Sequence, residues 1–600
     1  MSRSPVCFCC ILVQWSKNEK EGKKMKAVFF LLVLAATAAW AGPHDLYGAY
    51  PSNNGGASNL NVFPPSGVAG KDLSTLQLKW ATPELFEDQY ASGHRLSVQS
   101  TPVVSYDGNV YFANARGDLF SYRWDGALNW VINLKDANGE SDYFDESPAL
   151  TESRVFIGGS RCHCVDRLTG VEVWATSFDD DVQLFPSGGD LQPSQIMLAE
   201  NLVIYGLTYA DEVFADNLVN YDKVRGKLCA FDQDTGARVW MTDLTKIGGV
   251  YGPGLGTYAG GAVDTTRHLF FIGIGNEYRP PASPISDSLI AIDYRDGSFQ
   301  WHYQYYPGDQ CGVDAQGNFD CTIDGKHDFD VSCHPQLFQV YDPSVRYPHA
   351  RVPVDVVGCK SKDGTYRLFR RDQAPDTNTT SSVAPLAQLQ LDPGAGWNPT
   401  IGAEPIFKDG ILYAVSQSFI ADMWDGSSID PSVDTLKAAH ISTDLMPGLN
   451  NYYESSTFRA VDLQRLVDYY HDQGATKPIC AGKLQYRLCA GRVPPDSGIF
   501  QWEKVIPQSA VLSSSGLSYI DGYIVYGDLN GRLRFLSATN GAEEGTFALL
   551  NPAWSVPEWD FYGLPILGGI SAFNGTLFVP AGYDFQGFVT PGGLAAIGFP

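Results

Sequence analysis

Two short stretches carry the side chains best suited to chemistry. His327-Asp328-Phe329-Asp330 sets two carboxylates beside an imidazole, and Gly273-Ile-Gly-Asn276 ends an apolar run on an amide. Carboxylates accept protons, and carboxylate and amide oxygens suit hard cations. Each also has a plainer reading on its own. Asp328 and Asp330 could be solvated loop acids, and Asn276 a turn residue after glycine.

Other chemistries are excluded or disfavoured. After the first 41 residues the chain has 36 basic against 65 acidic groups, which argues against nucleic acid or anionic membrane as partners. Nine cysteines remain there (162, 164, 229, 311, 321, 333, 359, 480 and 489), an odd number that leaves at least one unpaired in an oxidising compartment. Cys311 with Cys321 and Cys480 with Cys489 are the nearest local pairs outside Cys162-His-Cys164. No Cys-x-x-Cys-His occurs, which argues against covalent c-type haem, and no second Cys/His pair has zinc-ligand spacing. Met25-Lys-Ala-Val-Phe-Phe and the run to Ala39-Trp-Ala41 have the pattern of a cleaved signal segment over 1–41. No later stretch reaches the ~20 apolar residues of a membrane span. Asn378-Thr-Thr380 and Asn574-Gly-Thr576 are glycosylation sequons.

The elements that must position these residues form a repeat. Ala230-Phe-Asp-Gln-Asp-Thr-Gly-Ala-Arg-Val-Trp240 and Ala291-Ile-Asp-Tyr-Arg-Asp-Gly-Ser-Phe-Gln-Trp301 are two copies of one phrase. The first full unit spans Ser100 to Trp130, with turns at Asp107-Gly108 and Asp125-Gly126. Further copies end at Trp174, Trp240, Trp301, about Asp372, Trp502 and about Gly541, and residues 568–599 supply three strands of a last one. Leu76–Trp80 is a strand without a unit, and adding it to the last copy closes a ring that leaves no open edge. The chain therefore reads as all-β, with eight four-stranded antiparallel units over 76–600 (seven if the fifth and sixth are mis-divided). Residues 42–75 wrap the surface. An insertion at about 421–483 includes a helix-like pattern over 457–470. The recurrent tryptophans read as packing between units rather than as catalytic groups.

The phrase Ala-x-Asp-x-x-Thr-Gly-x-x-x-Trp resembles the repeat of the pyrroloquinoline quinone (PQQ) dehydrogenases. That family folds as an eight-bladed β-propeller with PQQ and calcium near its axis; assembly-factor propellers that bind no quinone share the repeat. The resemblance covers nearly all of 76–600. Asn318-Phe-Asp-Cys321 and Asp328-Phe-Asp330 make the polyvinyl alcohol dehydrogenase branch the nearest one. The resemblance implies Asn276 and Glu212 (rather than Asp211) as calcium ligands together with Asp328. It implies Asp328 as the catalytic base, with Asp330 the competing assignment. Arg225 and Tyr258 would lie against the quinone, and Lys362 (Lys360 second) would contact a quinone oxygen. Three features depart from the family: His327 replaces a tryptophan, Tyr258 stands at a tryptophan position, and no vicinal cysteine pair is present.

Two functions follow as expectations. One is a secreted quinoprotein, periplasmic if bacterial, that oxidises a small or polymeric alcohol with PQQ and calcium and passes electrons to a separate acceptor. The other is a non-catalytic propeller used for binding or as a scaffold.

Overall fold

The phrase Ala-x-Asp-x-x-Thr-Gly-x-x-x-Trp is a hairpin whose outer strand bulges to aim its tryptophan. Ala230 lies opposite Trp240, the register shifts, and Phe231 then lies opposite Arg238. The same shift follows Ser121 opposite Trp130, Cys164 opposite Trp174, Ala291 opposite Trp301 and Ala460 opposite Trp502. A small residue across the ladder leaves room for the indole, and the bulge turns it out of its own sheet. Asp232 makes the turn: its Oδ1 accepts from Thr235 N at 2.9 Å and Thr235 Oγ1 at 2.8 Å. Gly236 then takes φ 71°, and a side chain there would meet Trp174 of the preceding sheet at 2.5 Å.

Each aimed tryptophan docks on a neighbouring sheet. Indole Nε1 donates to a turn carbonyl from Trp80 to Trp124, Trp130 to Arg167, Trp174 to Gln233, Trp240 to Tyr294 and Trp502 to Ala538, at 2.8–3.1 Å.

These hairpins come from a computed structural model that describes residue 58 and residues 60–600 apart from 87–95, 180–190, 210–224, 258, 314–318, 322–328, 346–348, 377–378, 380–381, 392–403, 418–454, 482–488, 508–515, 529–530, 550–563, 583, 586–587 and 590–591. All lie within one unit, Tyr47–Pro600. The fold is all-β: eight sheets of four or more strands follow one another along the chain, mostly antiparallel, with two short ribbons and few helices. Sheets one to four begin at Val103, Ala149, Leu191 and Ala262, and sheets five to eight at Gln336, Ile406, Ser518 and Ser571. In the eighth, Gln77–Ala81 pairs antiparallel with Gly593–Gly598 at the sheet edge. Apolar residues of facing sheets form the core, as where Tyr205 and Phe231 of sheet three meet Phe156, Cys162 and Cys164 of sheet two.

One expectation shifts. Ser455–Asp462, inside the expected insertion, is the third strand of sheet six, and the helix starts only at Leu463, running to Asp472. Ladder partners on both sides, Ile411–Gln417 and Phe500–Pro507, override the helical spacing of residues 457–462. Asp462 ends the strand and caps the helix, its Oδ1 accepting from Arg465 N at 3.0 Å. Sheet five also differs from the repeat. Its fourth strand, Ala387–Gln390, has no tryptophan and is extended by parallel Ile479–Cys480 and Gly491–Arg492. Cys480 and Cys489 form a disulfide there.

Candidate functional site

Four chain segments lie side by side where sheets three, four and five approach. Isolated backbone bridges join Arg225 to Gly254, Gly254 to Glu277, and Glu277 to Gln310. Glycine makes this crowding possible: a Cβ at Gly273 would collide with the carbonyl oxygen of Val331, so the chain after Phe329 can lie directly on the end of strand Leu269–Gly273. Val331 N donates to Ile274 O at 3.3 Å in that contact.

The approach brings three predicted residues together. Asn276 is fully buried, and its backbone N donates to Asp330 Oδ1 at 3.0 Å. Asp330, also buried, pairs through Oδ2 with the Lys362 ammonium. Lys362 N donates to Asp330 O at 3.0 Å, so backbone and side chain bind the same partner. Lys362 sits in the tight turn Ser361–Gly364 between strands Pro353–Lys360 and Thr365–Arg370 of sheet five, and its side chain keeps 16% exposure. Asn276 is further fixed by Leu255 N donating to its carbonyl at 2.8 Å and by its Nδ2 donating to Glu277 O at 2.9 Å.

Arg225 is placed otherwise. Its backbone borders the site through Gly254, but its guanidinium donates to Thr245 Oγ1 at 3.3 Å and lies 3.6 Å from Asp243. Lys360, the second choice for the quinone contact, is buried and donates to Val415 O at 3.3 Å, toward sheet six. Glu212, Tyr258, His327 and Asp328 lie outside the described residues. Cys162 and Cys164 are buried thiols in the core between sheets two and three.

The sequence reading missed Glu277, which directly follows Asn276. It is fully buried, and burial pushes its carboxyl up to about 7. Oε1 accepts from Ser283 N, and the Ser286 hydroxyl also favours the ionised form. Gln304 Nε2 ties this loop to the last strand of sheet four, donating to Ser283 O at 3.2 Å and Ser286 Oγ at 3.1 Å. The only signal in the sequence was a charged residue at the end of the apolar run 269–274.

Chemically, the described site offers an amide and two carboxylates, donors that suit a hard cation, and one partly exposed ammonium able to face an anionic oxygen. Among the described residues no three His, Cys, Asp or Glu side chains converge as a metal cage. A cation would therefore also need the expected donors that lie outside them.

Comparison with known proteins bears on the class and the fold. Residues 66–242 match the family described as "Outer membrane protein assembly factor BamB". A polyvinylalcohol dehydrogenase of Sphingopyxis sp. (strain 113P3) is 26% identical over 44% of this chain and 41% of its own length. A quinohemoprotein alcohol dehydrogenase, ADH-IIG, of Pseudomonas putida is 24% identical over 50% of this chain and 47% of its own. The chain is similar to quinoprotein alcohol dehydrogenases. It spans less than half the length of these curated relatives. The fold likeness extends further. The quinohemoprotein alcohol dehydrogenase from Comamonas testosteroni superimposes with TM-score 0.56 at 14% identity, over 94% of this chain and 82% of that one. A europium-containing methanol dehydrogenase gives TM-score 0.54 at 13% identity, over 92% and 98%.

Proposed function

We propose that the chain is an alcohol-oxidising quinoprotein whose eight sheets close into a propeller around the site. The observation that carries this reading is the meeting of Asn276, Asp330 and Lys362, brought from three separate stretches into one hydrogen-bonded group. The dehydrogenase relatives supply its chemical class. Ring closure is supported by the edge strand Gln77–Ala81, the tryptophan joints, and contacts across two further joints. Gln336 Nε2 donates to Pro405 O at 2.6 Å between sheets five and six, and Ile570 N to Ser518 Oγ at 3.0 Å between seven and eight.

PQQ, when bound, supplies a quinone that accepts hydride from an alcohol carbon, with calcium polarising it. Asn276, Glu212 and Asp328 would hold the cation, and Arg225 and Tyr258 would line the quinone. Asp328 takes the hydroxyl proton, with Asp330 the alternative base. Lys362 presents its ammonium to a quinone oxygen, held there by Asp330. The substrate is a small or polymeric alcohol, and a separate acceptor takes the electrons. The protein works outside the cytoplasm, a reading supported by the signal-like pattern over residues 1–41.

The match of residues 66–242 to an assembly-factor family favours a second reading, a propeller that binds partners without chemistry. Titration of the purified chain with PQQ and calcium, followed by quinone absorbance and dye reduction over a panel of alcohols, separates the two. Saturable calcium-dependent binding with dye reduction is expected; no binding would leave the scaffold reading.

A further inference from the structure

Glu277 is expensive where it stands. It is fully buried, makes no ion pair among the described residues, and its Oε2 makes no hydrogen bond among them. A buried carboxylate without a cation costs far more than a buried amide. The loop presents Ser283 N and the Ser286 hydroxyl to position 277, and a glutamine carbonyl would still accept from Ser283 N. Negative charge is therefore what the carboxylate adds over the amide. Glu277 directly follows Asn276, and its backbone carbonyl accepts from Asn276 Nδ2 at 2.9 Å, so the two residues are fixed together.

The scaffold also fixes that position. Tyr278 N donates to Pro253 O at 2.8 Å, the backbone of Glu277 bridges Gly254 and Gln310, and Gln304 ties down the loop from the far side. Of the other buried carboxylates on these segments, Asp330 is matched by Lys362 and Asp309 accepts from Phe329 N at 2.7 Å. Glu277 has no such match, and a cation held at Asn276 would give it one.

We propose that Glu277 is a positioning residue for the cation: it supplies uncompensated negative charge behind Asn276 and so strengthens divalent-cation binding there without serving as a ligand. The proposal rests on the quinoprotein reading above. It separates stability from binding, because removing the charge should help the cation-free fold and hurt the cation complex.

The test uses the purified full chain with calcium as the probe. Calorimetric calcium titration is run with and without PQQ, and thermal unfolding is followed in chelator. Glu277→Gln keeps the acceptor for Ser283 N and loses the charge. It should raise the chelator Tm by about 1–3 °C and weaken calcium binding about tenfold. Glu277→Asp keeps the charge but shortens its reach to Ser283. It should lower the Tm yet bind calcium within about threefold of the parent chain. Unchanged calcium affinity in Glu277→Gln overturns the proposal, as does equal loss of stability and affinity in both variants, which would make the carboxylate purely structural. If the parent chain binds no calcium with or without PQQ, the quinoprotein reading itself fails and takes this one with it.

Discussion

The joint between sheets three and four and the joint between sheets four and five are built from different materials. In the first, Trp240 donates to Tyr294 O at 2.8 Å, and Gly297 leaves its indole room, with the nearest ring atom 2.6 Å from where a Cβ would sit. In the second, Trp301 stands at the equivalent place in its strand, buried, but its Nε1 has no hydrogen-bond partner among the described residues. Its ring meets Phe369 of sheet five in a tilted contact instead. Four charges hold that joint in place of an indole. Asp264 accepts from Arg267 at 2.9 Å and Arg371 at 2.7 Å, and Asp355 accepts from Arg267 at 2.6 Å and forms an ion pair with Arg371 at 3.2 Å. Asp330, in the segment entering sheet five, links Asn276 of sheet four's loop to Lys362 of sheet five. The joint that departs from the repeat is the one that carries the site.

The largest effect should come from breaking that joint at the site. Asp330→Ala strands the Lys362 ammonium and frees Asn276 N. It should cost about 3–5 kcal/mol of stability and lower kcat/KM for alcohol dye reduction at least about 100-fold. Asp330→Asn, which keeps the Asn276 contact, should recover part of the stability but little of the rate. Next is the charge quartet. Arg371→Met should cost about 2–3 kcal/mol in urea unfolding, because Asp264 is almost wholly buried, and activity should fall much less than with Asp330→Ala. A smaller contrast tests the comparison itself. Trp240→Phe loses a hydrogen bond that Trp301→Phe does not have, so the first should destabilise by about 1 kcal/mol more than the second. Equal costs would mean the two joints do not differ in the way described.

The smallest effect is a pH dependence within sheet two. His163, fully buried, faces Asp142 through Nε2 at 3.0 Å and Glu172 through Nδ1 at 2.8 Å. Burial works against its charge, but the two carboxylates prevail and raise its affinity for the proton. A raised histidine contributes stability that is full below its unfolded value of about 6.5 and is lost as pH rises through the folded value. The slope is at most one proton, about 1.4 kcal/mol per pH unit. His163→Gln should flatten stability against pH above about 6.5; a slope unchanged by the substitution would place its origin elsewhere.

Legibility in the sequence follows the same division. The tryptophan joints could be read because their cause is local: an Asp–Thr–Gly turn, a small residue opposite an indole, and a bulge all lie within eleven residues. Asn276, Asp330 and Lys362 could be named only through resemblance, since nothing near any one of them signals the other two. Their meeting depends on Gly273 admitting the backbone of Val331, a contact between strands far apart in the chain. Arg225, also named by resemblance, borders the site through its backbone while its guanidinium meets Thr245 and Asp243. Glu277 has no periodic signature, because a single buried acid breaks no pattern. The helix start was misjudged by six residues because strand pairing at 455–462 is decided by distant neighbours.

The pairing of Gln77–Ala81 with Gly593–Gly598 also sets an order of events during synthesis. The first strand leaves the ribosome roughly 500 residues before its partner, and domains form from the N-terminus onward as the chain emerges at about 5–20 residues per second. For that interval the strand has no ladder to join, although sheets one to seven can already form beside it. The eighth sheet is therefore finished only after Gly593–Gly598 has emerged, and that step is the docking of two segments far apart in sequence rather than the growth of one hairpin.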